Sequence, residues 1–235
     1  NYFLKSFNSA YNQSYKDKEI IIIYDDDDLN ELKYIQKITK NKKKVKIIVN
    51  KTNLGAGYSR NKGIKISRGE FIAFLDSDDL WNKNKIKIQI NYMIKENACF
   101  IFSSYKIIDD KDKVIGLRKA DNNINYQKLL LSCDIGTSTV VLKKKLLGGK
   151  IKFPKIKTKE DYVLWLFLSK KKIKFYGINK YLAKWRKTKN SLSSNTFQKL
   201  IDGFNVYNNY MKFNIFKSIY YLIILSINFF KKQIK

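Results

Sequence analysis

The sequence contains no histidine, which excludes Ser-His-Asp and Cys-His nucleophile systems and every zinc site that needs an imidazole. Cys99 and Cys133 are the only thiols, too few for a disulfide framework or a four-cysteine metal site, and they fit a reducing, cytoplasmic compartment. Arginine is scarce: Arg60, Arg68, Arg118 and Arg186 are the only four among 48 basic residues. Nucleic-acid readers depend on the planar guanidinium fork, so no nucleic-acid partner is expected despite a formal net charge of +28. Over-use of Lys, Ile and Asn together also fits a background compositional bias. The uncharged run Ser218 to Phe230 covers 13 residues, short of the roughly 20 needed to span a bilayer. The N-terminus lacks both a secretory signal and an initiator Met, and the natural chain is expected to begin upstream.

What is present suffices for a core. At 235 residues, 44% hydrophobic and 14% aromatic, the chain reads as one globular domain or at most two. Asn1 to Tyr15 has a helical stripe of Phe3, Leu4, Phe7 and Tyr11. Three short, largely apolar runs follow, Ile20 to Tyr24, Val45 to Val49 (interrupted by Lys46) and Phe71 to Leu75, as expected of strands buried on both faces of a parallel sheet. Helical patterns over Leu29 to Thr39, Ala56 to Ile66 and Lys83 to Lys95 alternate with them, giving an open α/β sheet.

Beyond a fourth strand at Ala98 to Ser103 the pattern is mixed. Asp109 to Lys113 reads as a hairpin turn, Thr137 to Leu142 as a β-branched strand, Asp161 to Lys170 as a helix, and Lys174 to Trp185 as two short strands around Asn179. The one proline, Pro154, marks a loop before that helix. From Tyr162 to Lys235 there are fifteen Lys and Arg against a single acid, Asp202. Phe197 to Lys235 is helical, aromatic and basic, the composition of a helix lying among lipid headgroups or of one packed on the protein's own core.

Acidic clusters follow strand ends, where ligands bind in open α/β sheets. Asp25-Asp26-Asp27-Asp28 can accept hydrogen bonds from a ribose or a base, and it equally fits a solvated turn capping the next helix. Asp76-Ser77-Asp78-Asp79 places two carboxylates one residue apart, able to share a hard cation whose other positions go to water and diphosphate. With only oxygen ligands on offer, Mg²⁺ or Mn²⁺ is expected. Asp79 is expected to cap the helix near Lys83. Gly55 and Gly57 lie between the two clusters and can let backbone N–H groups approach an anion. Glu160-Asp161 opens a helix, where a carboxylate suits either a general base or a plain cap.

In this order the motifs resemble family 2 glycosyltransferases, inverting enzymes of the GT-A fold with nucleotide-sugar donors. The likeness rests on Asn12-Gln13-Ser14-Tyr15, Asp25-Asp26, Asn53-Leu54-Gly55 with Arg60-Asn61-Lys62-Gly63, Gly69 to Asp79, Glu160 to Trp165, Trp185-Arg186 and Asn190 to Ser193. It implies a Rossmann-like, open mixed and mainly parallel sheet flanked by helices, with a catalytic domain over 1–194 and a basic amphipathic helical tail over 195–235. It implies that Asp25 and Asp26 hold the base and ribose of a UDP-sugar, that Arg60 lies beside that base, that Asp76 and Asp78 take the metal and diphosphate, and that Asp161 is the catalytic base.

Three departures stand out. The family's opening strand would precede Asn1. Asp27-Asp28-Leu29-Asn30 replaces the usual Gly-Ser-Thr-Asp. Thr188 stands where many members carry a histidine, leaving Lys187 or Lys189 as diphosphate partner. The function implied is transfer to a cell-envelope glycan or lipid-linked glycan acceptor by an enzyme peripheral to an anionic membrane, on its cytoplasmic face. Its rivals are a non-catalytic nucleotide-sugar-binding module of the same fold and a basic nucleic-acid-binding protein.

Overall fold

The computed structural model describes residues 2–188 and 196–234. Helix α1 (Tyr2–Tyr11) precedes strand β1 (Ile20–Tyr24), α2 (Leu29–Thr39) and β2 (Val45–Val49). β1 and β2 pair in parallel, Ile20 opposite Val45, as a two-stranded sheet. The Asp28 carboxylate accepts from the Asn30 and Glu31 amides and so caps α2, the capping role expected of part of the first acidic run.

Helix α3 (Ala56–Ile66) leads to β3 (Phe71–Ala73), then β4 (Leu80–Trp81), α4 (Lys85–Lys95), β5 (Phe100–Ile108) and β6 (Val114–Arg118). After α5 (Tyr126–Leu131) come a 3₁₀ turn (Thr137–Thr139), β7 (Val141–Lys143), α6 (Glu160–Lys170) and β8 (Phe175–Arg186). The second sheet has the order β3-β7-β5-β8-β4, with β6 also on β5. The architecture is mixed α/β, as expected. Parallel pairing is confined to β1–β2 and β5–β8, and the other four pairs run antiparallel; of these only β5–β6 is a hairpin, and the rest join strands distant in sequence.

Three local expectations change. The run Thr137 to Leu142 is a 3₁₀ turn followed by a strand, since its hydroxyls bond elsewhere. The two short strands expected over Lys174 to Trp185 are one continuous strand, Phe175–Arg186, with register shifts at Asn179–Lys180 and at Leu182. Asp79 caps no helix: α4 starts after Asn84, and buried Asp79 accepts the Arg186 amide at 2.8 Å.

The core centres on α6, apolar nearly all round and therefore buried nearly all round. Tyr162, Val163, Leu164, Trp165, Leu166 and Leu168 are inaccessible to solvent or almost so, each contributing about 1.5–3 kcal/mol by burial for its Val, Leu and aromatic side chains. Trp165 meets the edge of Phe100, which stacks on Phe175 with centroids 4.0 Å apart.

The C-terminal segment joins this core through α7 (Thr196–Asn205), a π-helical turn (Val206–Tyr210) and α8 (Ile215–Ile234). The Tyr207 hydroxyl donates to the Leu130 carbonyl and meets the Tyr162 hydroxyl at 2.9 Å. Buried Asp202 accepts the Thr158 amide and hydroxyl at 2.8 Å each. Packing on the protein's own core is therefore met on one face of α8. Among the described residues no helix is long and apolar enough to cross a membrane.

Candidate active site

Strand ends and helix starts converge on Arg60. Its guanidinium donates to Asp76 Oδ1 at 2.7 Å and to Glu160 Oε1, and stands 5.4 Å from the Phe153 ring centroid. It thus joins the loop after β3 to the first turn of α6. Burial alone would lower the Arg60 pKa, but the Asp76 and Glu160 carboxylates raise it above the ordinary value. The pair favours the cation more than it restores the anion: burial, and then neighbouring Asp161, keep Glu160 above the usual carboxylate range despite Arg60.

Two glycines make the approach possible. Gly55 has φ +86°, a left-handed conformation that suits glycine. At Gly57 a Cβ would stand 2.9 Å from the Pro154 carbonyl oxygen and 3.4 Å from the Glu160 side chain, so α3 can lie against the residues leading into α6 only with glycine there.

The 3₁₀ turn ties the two acidic sites together. Thr137 Oγ1 donates to Asp161 Oδ2 at 2.6 Å, and Asp161 Oδ1 accepts the Tyr162 amide at 2.7 Å. Next in chain, Ser138 Oγ accepts the Asp76 amide at 3.1 Å, and its carbonyl accepts Trp81 Nε1 at 2.7 Å. Thr137 and Ser138 fall within the run whose β-branching points to a strand. Three hydroxyl residues running together after Gly136 were the available signal, because such side chains compete for local polar groups.

Asp78 is pushed up by burial and then by the nearby Asp76 charge; Asp79 is raised well above its ordinary value by the same two causes in the same order. Arg186 restrains this loop. Its side chain is inaccessible; Nε donates to the Asp78 carbonyl at 2.9 Å, and the two terminal nitrogens reach the Asp109 carbonyl and the Asp112 carboxylate. Mutual repulsion between carboxylates is what a divalent cation relieves, and Asp76 with Asp78 is an oxygen-only donor pair of the kind that holds Mg²⁺ or Mn²⁺ together with substrate phosphates. No group of three or more potential ligands occurs among the described residues.

At the end of β1, the Asp25 carboxylate accepts from Asn50 Nδ2, from the Leu54 amide and from the Gly55 amide, at 2.7, 2.8 and 2.7 Å. It fixes the loop that opens α3. Asp26 Oδ1 accepts the Asp27 and Asp28 amides, and the residue is exposed. The structure thus brings Arg60, Asp76, Glu160 and Asp161 together through direct bonds and a shared turn, while Asp25 and Asp26 lie at the end of β1 in the other sheet, Asp25 bonded to the loop that opens the Arg60 helix. Arg60, expected beside a base, stands between Asp76 and Glu160. Lys187 is exposed next to the Arg186 clamp; Lys189 and the motif Asn190 to Ser193 lie outside the described residues.

Residues 1–147 match the family described as Glycosyl transferase family 2. The chain is 36% identical over 219 residues to the UDP-Glc:alpha-D-GlcNAc-diphosphoundecaprenol beta-1,3-glucosyltransferase WfgD of Escherichia coli, covering 93% of this chain and 84% of that protein. It is 42% identical over 202 residues to WfaP of the same species, which has the same description, covering 84% and 77%. Identity to the putative teichuronic acid biosynthesis glycosyltransferase TuaG of Bacillus subtilis is 29% over 234 residues, covering 99% and 92%. The structure of S. aureus TarS residues 1–349 in complex with UDP-GlcNAc superposes with a TM-score of 0.67 at 20% identity, over 94% of this chain and 66% of that one. The fold is the GT-A type that the motifs imply.

Proposed function

The chain belongs to glycosyl transferase family 2, and from that premise we propose that it moves a hexose from a UDP-sugar to a hydroxyl of a lipid-linked glycan, with inversion, in cell-envelope glycan synthesis. The observation that carries the reading is the Arg60 bridge, which holds the Asp76 loop against the turn bearing Glu160 and Asp161. In this reading Asp76 serves the donor and Asp161 the acceptor, and Arg60 and the Thr137 turn tie the two segments together.

In this reading Asp161 accepts the proton of the acceptor hydroxyl while the hydroxyl oxygen forms a bond to the anomeric carbon. The bond from that carbon to the diphosphate oxygen breaks on the opposite face, and UDP leaves with the electron pair. One displacement inverts the centre and needs no covalent sugar intermediate. Thr137 orients Asp161, while Asp25 fixes the loop beneath the nucleotide and Asp26 keeps acceptor capacity for the ribose. A divalent cation held by Asp76 and Asp78 would offset the diphosphate charge when bound. The 1–194 portion carries the chemistry and the 195–235 portion contacts the cytoplasmic face of an anionic membrane. Descriptions of WfgD and WfaP support a UDP-glucose donor and a diphosphoundecaprenol-linked acceptor.

The test offers UDP-, GDP- and dTDP-sugars with a GlcNAc-diphospho-lipid acceptor and follows the product by mass. Transfer from a UDP-sugar is expected; transfer from GDP- or dTDP-sugars alone would overturn the donor assignment.

A further inference from the structure

Helix α8 is apolar on two opposite faces, and among the described residues only one of them is packed. On the inner face Ser218 and Leu225 are buried, Asn228 Nδ2 donates to the Leu131 carbonyl at 3.0 Å, and Lys232 pairs with Asp134. On the outer face Phe216 is 85% exposed, Ile223 54% and Phe230 59%, and Ile219, Tyr220 and Ile227 are exposed with them. The spacing 216, 219, 220, 223, 227, 230 is a single helical stripe, about 21 Å long at 1.5 Å per residue. Chains that stay in water rarely leave such a continuous apolar surface open.

Charge selects what covers it. From Gly203 to Lys235 the sequence has five lysines and no acid. Lys212, Lys217 and Lys231 are exposed around the stripe, where their methylene stems can lie along apolar surface with the ammonium groups at headgroup level. A second copy would bring lysine rows against lysine rows on a chain of net charge +28. Anionic lipid meets both the apolar and the cationic requirement.

We propose that the outer face of α8 is a docking surface for an anionic bilayer, with the helix lying in the interface plane. The proposal rests on the reading above, in which the acceptor is carried on lipid, and gives that contact its residues. Because the inner face is part of the core, membrane contact and packing are simultaneous, and deletion of the segment cannot separate them.

Outer-face substitutions can. The full chain and the variant Phe216→Ser/Ile223→Ser/Phe230→Ser are sedimented with vesicles of phosphatidylglycerol mixed with phosphatidylcholine, and with phosphatidylcholine alone, while melting temperature and oligomeric state are recorded. The parent should prefer the anionic vesicles and be weakened by salt, and the variant should bind at least about tenfold less with its melting temperature kept. Equal binding by parent and variant, or a parent dimer dispersed by the substitutions without vesicle binding, would overturn the proposal. If the variant unfolds, Lys217→Gln/Lys231→Gln replaces it: weaker anionic binding supports the surface, unchanged binding refutes it. Transfer to a water-soluble acceptor analogue is measured alongside. Its absence would count against the proposed reaction, not against the surface.

Discussion

Replacing Arg60 by methionine removes the cation between two carboxylates and keeps a stem of similar length. The Arg60 side chain is 15% exposed, Glu160 11% and Asp76 37%. Stranding one member of a fully buried pair costs about 3–5 kcal/mol, whereas a screened partner such as Asp76 loses only about 0–1 kcal/mol. Glu160 therefore dominates, and partial exposure trims the expected loss to about 2–4 kcal/mol. For a chain of this size that is a fall in Tm of roughly 5–15 °C.

Protonation offers Glu160 a way out. Its pKa already lies above the ordinary value through burial and Asp161, with Arg60 pulling it down, and losing Arg60 raises it further. The folded variant then holds a proton that the unfolded chain, near 4.3, has released. Its stability is retained at low pH and lost as pH rises through the raised folded value. Thermal melts should accordingly show a small gap between parent and variant near pH ~5 and a wide one near pH ~8. Adding Glu160→Gln should close most of the gap at the higher pH. A pH-independent gap, or no rescue by the second substitution, would refute the reasoning.

Lys85 is fully buried with no hydrogen-bond partner among the described residues, 4.4 Å from the Trp81 ring centroid. A desolvated cation–π contact is worth about 2 kcal/mol, less than the several kcal/mol of an unpaired buried ammonium, so burial holds the amine's pKa well below the ordinary value. The unfolded chain binds the extra proton, so stability rises with pH toward about 10.4. Lys85→Met should therefore add about 1–3 kcal/mol near neutrality, a gain that melts should show shrinking in alkali. Thr137→Ala should reduce transfer by about 10–100-fold, the worth of a hydrogen bond to a charged group. Thr137→Ser should restore most of it, as progress curves would show. Asp78→Ala should abolish the dependence of UDP affinity on Mn²⁺ in titration calorimetry; parent and variant equally indifferent to Mn²⁺ would remove the metal role.

Much of the scaffold was legible because its signals are local. Ile20 to Tyr24 and Val45 to Val49 are short, largely apolar runs with abrupt polar ends, and the structure gives both strands those limits. Helices α2 and α3 begin after Asp28 and Gly55, a side-chain cap and a left-handed turn that residue type announces. Partners distant in sequence were not legible. Nothing local pairs Arg60 with Glu160 or Thr137 with Asp161, and β-branching at Thr137 and Thr139 pointed to a strand while their hydroxyls drew the backbone into a turn. Strand direction likewise depends on which neighbours meet, so the antiparallel share of the second sheet exceeds what short apolar runs suggested. In α8, composition left lipid and core as alternatives because both want the same residues; only the burial of Leu225 against the exposure of Phe216 separates the two faces.

In the proposed reaction Asp161 takes the acceptor's proton while other residues hold the donor. Asp161→Asn keeps the side chain's shape and its reach to Thr137 while removing the base, so sugar transfer and UDP affinity, measured on the same preparation, test the claim most directly. UDP affinity should stay near that of the parent and transfer should fall by about 10²-fold or more. Parent-like transfer by Asp161→Asn would contradict that role and move the base to Glu160.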